Sequence, residues 1–212
     1  MDLQELRRLV KQGEGSKLEF KRKANFPEKI ARELVAFANT DGGMLLLGVE
    51  DDGEIYGCKH PEEELYVIET YVLKHCHPRL PVKMERIAIS AQREVICYHV
   101  SPSRRKPFFL RDTAGTQTAF VRVNDMSITA SREMVAILRF AHTNKGVNIQ
   151  FGDQDRRLLS AIESEPGLGF GDLGEKLSLG RRKLSERIVL LARAGLVKIQ
   201  PTERGDRFHP SV

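Results

Sequence analysis

The sequence is poor in cysteine, with three in 212 residues, and it has no long uncharged apolar run and no low-complexity tract. An odd number of cysteines at irregular spacing builds no disulfide framework, so Cys58, Cys76 and Cys97 read as reduced thiols. The apolar run at residues 44–49 is far too short to cross a bilayer, and the amino terminus lacks the basic-then-apolar pattern of a secretory leader. These absences predict a cytoplasmic chain with no membrane partner. Gly42-Gly43 is not followed by Gly-Lys-Ser/Thr, and neither Gly-x-Ser-x-Gly nor His-Glu-x-x-His occurs, so a nucleotide-cradling loop and the usual serine or zinc hydrolase sites are excluded. His75-Cys76-His77 lacks a Cys-x-x-Cys partner pair, and adjacent side chains rarely turn toward one ion. It reads as a helix end, where histidine suits the dipole, and no resident metal or cofactor is expected there.

What is present is ordinary for a folded protein: 41% hydrophobic and 30% charged residues, in a length that accommodates two compact domains. Lys and Arg number 34 against 29 acidic residues, giving a net charge of +5 and a pI near 9.2, which is compatible with a polyanionic partner.

Periodicity organises the chain. Residues 1–12 carry Leu3, Leu6, Leu9 and Val10 at helical spacing, and residues 17–22 alternate, with Leu18 and Phe20 on one face and Glu19 and Lys21 on the other, as in a half-buried strand. A helix is predicted over 27–39, opened by Pro27, and then Asp41-Gly42-Gly43 turns the chain into the apolar run. Asp52-Gly53 predicts a tight hairpin with 54–56. A helix over 62–75, strands at 82–90, 94–100 and 120–123, and a helix over 131–140 capped by Ser131 complete an α+β domain of residues 1–143 with a mixed sheet. Residues 144–152 read as a linker, rich in Asn and Gly.

Residues 153–212 predict three helices and a small hairpin. The first is capped by Asp153, a tight turn at 178–180 separates the second from the third over 181–194, and strands at 196–200 and 207–209 close the segment. That order describes a winged helix-turn-helix, whose third helix enters the DNA major groove. Arg181, Arg182 and Lys183 open that helix and suit phosphate and guanine edges. The segment holds 11 basic and 9 acidic residues, a net of +2, so a dimerisation role stands beside DNA reading.

In the first domain, the layout brings Glu14, Glu19, Lys21 and Asp51 together. Carboxylates beside a lysine are a recognised way to hold a divalent metal and polarise a phosphodiester. The plain alternative is structural, with Glu19 paired to Lys17 or Lys21 and Asp51 bonding turn amides. Basic groups also occur as Lys21-Arg22-Lys23, as Arg104-Arg105-Lys106 before Phe108-Phe109, and at Arg122. Basic residues interleaved with aromatics suit backbone neutralisation and base stacking, though such a run also reads as a solvated loop over a buried Phe pair.

The combination of Glu14, Leu18-Glu19-Phe20-Lys21, Ala36-Phe37-Ala38-Asn39-Thr40 with Gly42-Gly43, Leu47-Gly48-Val49-Glu50-Asp51 and Ala119-Phe120-Val121-Arg122-Val123 resembles the Schlafen AlbA-type domain, over roughly the first 140 residues. The resemblance implies nucleic-acid binding, with Lys21, Arg22, Arg104, Arg105, Lys106 and Arg122 as contacts alongside Arg181, Arg182 and Lys183. It also implies that Glu14, Glu19 and Asp51 occupy the catalytic positions of the Schlafen nucleases, with magnesium or manganese as cofactor in that case. Those nucleases carry two copies of the fold, whereas one copy is present here, and a homodimer would rebuild a similar cleft. Bacterial relatives of this layout resemble transcriptional regulators. The expectation is therefore a DNA-binding regulator without a cofactor, with a metal-dependent nuclease and a protein-interaction adaptor as the alternatives.

Overall fold

Asp2 starts the first helix by accepting the amide hydrogen of Glu5, whose carboxylate takes the Asp2 amide in return, a reciprocal cap that launches α1 (Leu3–Val10). The computed structural model describes residues 1–140 and 150–211, and the chain divides into two compact units, Met1–Ile128 and Thr129–Val212. Among the described residues no helix is long and apolar enough to cross a membrane.

In the first unit α1 is followed by β1 (Leu18–Lys21), α2 (Pro27–Asn39), β2 (Gly43–Leu47), α3 (Pro61–His75) and β3 (Cys76–His77). Then come β4 (Val82–Ser90), β5 (Arg93–Val100), β6 (Phe109–Arg111), β7 (Gln117–Thr118), β8 (Phe120–Val123) and β9 (Met126–Thr129). The main sheet has the order β1-β2-β5-β4, with β1 parallel to β2 and the other pairings antiparallel, so the fold is α+β with a mixed sheet. Both faces are covered. Leu45, Leu47, Ile96 and Tyr98 pack toward α2 and α3, whereas Leu46, Val95 and Cys97 pack with Leu6 and Val10 of α1. A strand buried on both sides reads as a continuous apolar run, which is why residues 44–49 show no alternation.

The same covering corrects the reading of β1. Its Leu18/Phe20 and Glu19/Lys21 faces alternate as expected, yet Glu19 pairs in register with Leu45 and is itself buried. The hairpin after β2 is slighter than predicted: the strand ends at Leu47, and only an isolated Val49–Ile55 bridge spans the Asp51–Gly53 turn.

The turn from α2 into β2 shows why Asn-Thr-Asp-Gly-Gly stands there. Buried Asn39 donates to the carbonyls of Phe108 and Phe120, each at 2.9 Å, and accepts the Phe108 amide at 2.7 Å, fixing two distant segments to the helix end. Thr40 Oγ1 donates to the Ala36 carbonyl and accepts the Arg122 amide at 2.9 Å. Gly42 has φ +74°, and a Cβ there would lie 2.5 Å from the Val100 carbonyl oxygen; a Cβ on Gly43 would lie 2.4 Å from the Phe37 ring.

In the second unit Ser131 caps α4 (Arg132–Phe140) by accepting the Met134 amide at 3.0 Å. There follow α5 (Asp153–Ser164), β10 (Leu168–Gly169), α6 (Phe170–Leu177), α7 (Arg181–Arg193), β11 (Val197–Gln200) and β12 (Arg207–Pro210). Leu158, Ile162, Leu173, Leu184, Ile188, Leu191 and Phe208 form the core, closed by a sheet of order β10-β12-β11. Two details differ from expectation. The helix at 132–140 groups with this unit instead of the first, because α4 packs on α7 and Arg193 stacks over the Phe140 ring at 3.6 Å. Gly152, not Asp153, is the cap of α5, with Asp155 Oδ2 accepting the Gly152 amide at 2.9 Å. Residues 144–149 of the expected linker lie outside the described residues.

Gly42→Ala should lower the stability of the first unit by about 3 kcal/mol, since it adds both a left-handed strain and a backbone clash. Urea unfolding followed by circular dichroism measures this, and an unchanged midpoint would contradict the tight-turn account.

Candidate nucleic-acid interface

Arg122 sits in the middle of β8, in a strand whose neighbours are apolar, and β8 packs against α2. Its side chain is 1% exposed. One terminal nitrogen donates to Glu19 Oε2 at 2.6 Å and to the Gly15 carbonyl at 2.9 Å; the other donates to Glu33 Oε2, also at 2.6 Å. Nε reaches Gly15 at 3.2 Å, and the guanidinium carbon lies 5.0 Å from the Phe37 ring centroid. Glu19 and Glu33 are 8% and 4% exposed, so the three charges form a buried cluster in which the planar fork of arginine meets one carboxylate at each end. Lys21 adds an ion pair to the second oxygen of Glu19, Ser127 donates to Glu33, and Arg32 pairs with Glu33 at 3.0 Å.

Arg122 is therefore corrected from a nucleic-acid contact to an internal counter-ion, and Glu19, expected either at a catalytic position or paired to Lys17 or Lys21, is paired to Lys21 and to Arg122. Lys21 is held inward as well, donating to Glu19 and to the Phe20 carbonyl at 2.7 Å. Glu14 Oε1 accepts the Phe20 amide at 2.7 Å. Burial pushes the Glu14 carboxyl above its ordinary value, the Phe20 amide opposes that rise, and the charges of Glu19 and Asp51 add to it while Lys21 subtracts. The four groups are thus neighbours in space, and the polar atoms of Glu14, Glu19 and Lys21 serve the fold. Asp51 is exposed, and the turn amide beside it, that of Glu54, is accepted by Asp52 instead, at 2.9 Å. A magnesium or manganese ion does not fit this set. Glu19 is committed to two cations, Glu14 to an amide, and among the described residues no group of three or more His, Cys, Asp or Glu is placed to hold a metal.

The other basic positions separate into held and open. Arg22 pairs with Glu50 at 2.5 Å and stacks over Tyr56 at 4.5 Å. Lys106 is half-buried, donates to the Thr40 carbonyl, and has its ammonium pKa lowered by burial against the opposing charge of Asp41. Arg104 and Arg105 are exposed, and among the described residues their side chains make no ion pair. At the start of α7, Arg181, Arg182 and Lys183 are all exposed; Arg182 makes an i,i+4 pair with Glu186 at 2.9 Å, and Arg181 lies 5.7 Å from the Phe170 ring centroid. At the His75-Cys76-His77 segment the His75 ring stacks on Tyr71 at 4.2 Å, Cys76 is buried, and burial pushes its thiol up to about 12.

The protein-family model described as Schlafen, AlbA_2 matches residues 14–131, more than half of the chain. The chain belongs to the Schlafen AlbA_2 family. The matched span contains every member of the Arg122 cluster as well as the Asn39 clamp, and Schlafen AlbA_2 membership supports a nucleic-acid-related function. Among solved structures the chain is similar to the DIP2311 protein from Corynebacterium diphtheriae, with 17% identity and a TM-score of 0.46 over 91% of this chain and 34% of that one. It thus spans about a third of that protein's length. It is also similar to the N-terminal domain of a RecG-related protein from Nitrosomonas europaea, with 21% identity and a TM-score of 0.45 over 57% of this chain and 88% of that chain. No curated protein matches it.

Glu33 and Ser127 are the site residues that the sequence reading passed over. The signal for Glu33 is a carboxylate among Ile30, Leu34 and Phe37 on the inward face of α2, which demands a buried cation.

Two outcomes test the cluster. Arg122→Met should destabilise the protein by about 3–5 kcal/mol in denaturant titration, because two carboxylates are deprived of their buried counter-charge. Glu14 carries the opposite lesson. Its raised folded pKa favours the protonated form, so the associated stability is present below the ordinary carboxylate pKa and is lost as pH rises through the folded value. Glu14→Gln keeps an acceptor for the Phe20 amide, and its stability relative to the unmodified protein should improve from pH 4 to pH 7.

Proposed function

We propose that the protein is a DNA-binding regulator in which the second unit is a winged helix-turn-helix that reads DNA and the Schlafen AlbA_2 unit adds backbone contacts. The observation that carries this reading is the exposure of Arg181, Arg182 and Lys183 at the first turn of α7. Three features support it. Only residues 178–180 separate α6 from α7, and Ser178 takes a left-handed conformation, φ +51°, that ends α6 and opens the turn into α7. The buried face of α7, with Leu184, Ile188 and Leu191, fixes its roll so that the basic first turn faces solvent. The β11–β12 hairpin carries exposed Arg204 in its connecting loop, at the place of a wing.

In this reading the positive side chains neutralise phosphates on either side of a major groove, and the arginines at the helix start are within reach of guanine edges. Two copies would present two such helices to paired half-sites. Arg104 and Arg105, exposed on a loop of the first unit, supply the sequence-independent contacts. No cofactor is needed for any of these steps. Cleavage is not part of the reading, since the carboxylates at the nuclease positions 14 and 19 are engaged by Arg122, Lys21 and the Phe20 amide.

Mobility-shift titration of the full chain on mixed duplex DNA should show binding that weakens steeply with salt. Arg181→Glu combined with Arg182→Glu should reduce affinity by about tenfold to a hundredfold and lower the salt slope by about two, one for each phosphate no longer neutralised. Absence of any shift at low salt, or an unaltered slope in the double variant, contradicts DNA reading and favours the adaptor role. Nicking of the DNA with added manganese, abolished in Glu19→Gln, would instead restore the nuclease reading.

A further inference from the structure

Within the first unit a cavity of about 430 Å³ lies between α3 and the edge of the main sheet, a volume ordinary for a small-molecule site. The apolar part of its wall is Ile68 and Val72 from α3, Leu80 from the following loop, and Val82 from β4. Two further lining residues are left open to water: Leu73 is 74% exposed and Met84 is 41% exposed. Apolar side chains held around a cavity without closing it are surface that an apolar ligand body would cover.

Tyr98 of β5 also lines the cavity and is 3% exposed, and among the described residues its hydroxyl has no hydrogen-bond partner although the atom is buried. A buried tyrosine hydroxyl normally finds a partner, and leaving one unmade costs about 1–3 kcal/mol. Burial first, and then the charges of Glu69, Cys58 and Glu64, raise the phenol pKa, so the group stays a donor and requires an acceptor. Arg79 lines the same cavity, is exposed, and among the described residues makes no ion pair. His77 lines it too, and Glu69 is the carboxylate in the wall. Cys76, pushed up to about 12 by burial, contributes only a neutral surface.

We infer that this cavity binds a small carboxylic acid with an apolar body, its oxygens accepting from the Tyr98 hydroxyl and pairing with Arg79 while its hydrocarbon covers Leu73 and Met84. The site lies wholly within the Schlafen AlbA_2 unit and stands independently of DNA binding by the second unit.

Octanoate and 1-octanol serve as probes, titrated calorimetrically into the full chain at neutral pH. Octanoate should bind saturably at one site per chain and raise the melting temperature. Tyr98→Phe should weaken octanoate about tenfold, in line with the removal of a hydrogen bond to a charged acceptor. The same variant, which removes an unpartnered hydroxyl, should leave the melting temperature of the free protein unchanged or higher. Arg79→Ala should weaken octanoate but not 1-octanol. No saturable binding, equal affinity in Tyr98→Phe, or 1-octanol binding as tightly as octanoate would each overturn the inference.

Discussion

The first unit is organised around one buried guanidinium. Arg122 draws a carboxylate from β1 and another from α2 onto a strand that lies more than eighty residues further along the chain, and it holds the Gly15 carbonyl with the same fork. Isolated burial of any of these charges would be prohibitive, and replacing all of them by well-packed apolar groups would cost little, so the cluster is best understood as a device of specificity. Only one register of β1 and one rotation of α2 bring Glu19 and Glu33 to the two ends of the same planar group. Thr40 and Asn39 extend that logic to the helix end, where side-chain amide and hydroxyl groups capture the amides and carbonyls of distant loops.

Much of the architecture was legible in the sequence because its signals are local. The helices at 27–39 and 181–193, the strands at 82–90 and 93–100, and the closing hairpin follow from periodicity and from Pro, Gly and Ser at element ends. What escaped reading depends on contacts distant in sequence. The short strands β3, β6 and β7 exist only by pairing with each other, and none carries a pattern long enough to be recognised. The placement of the 132–140 helix was decided by its packing on α7, a partner about fifty residues away, which no local pattern announces.

The candidate site was half legible for the same reason. The layout predicts Glu14, Glu19, Lys21 and Asp51 as neighbours, but charge type alone does not say whether a carboxylate faces solvent or an internal cation. The decisive residue, Arg122, was visible and assigned outward, because an arginine flanked by valines reads equally as a surface contact on a strand or as a buried counter-ion. Glu33 on the apolar face of α2 was the clue that a cation had to be inside. Of the basic positions expected to contact nucleic acid, those left open lie on a loop of the first unit and on the first turn of α7.

The shared guanidinium also limits how this fold can change over generations. Glu19 cannot be released to hold a metal while Arg122 remains opposite it, and Arg122 cannot be replaced while Glu33 stays buried, so no single substitution leads from this arrangement to an open acidic pocket. A lineage moving between a cation-filled and a metal-filled interior must alter β1, α2 and β8 in concert, or pass through intermediates too unstable to persist. The electrostatic lock that fixes the fold thereby makes β1, α2 and β8 answer to one another's substitutions.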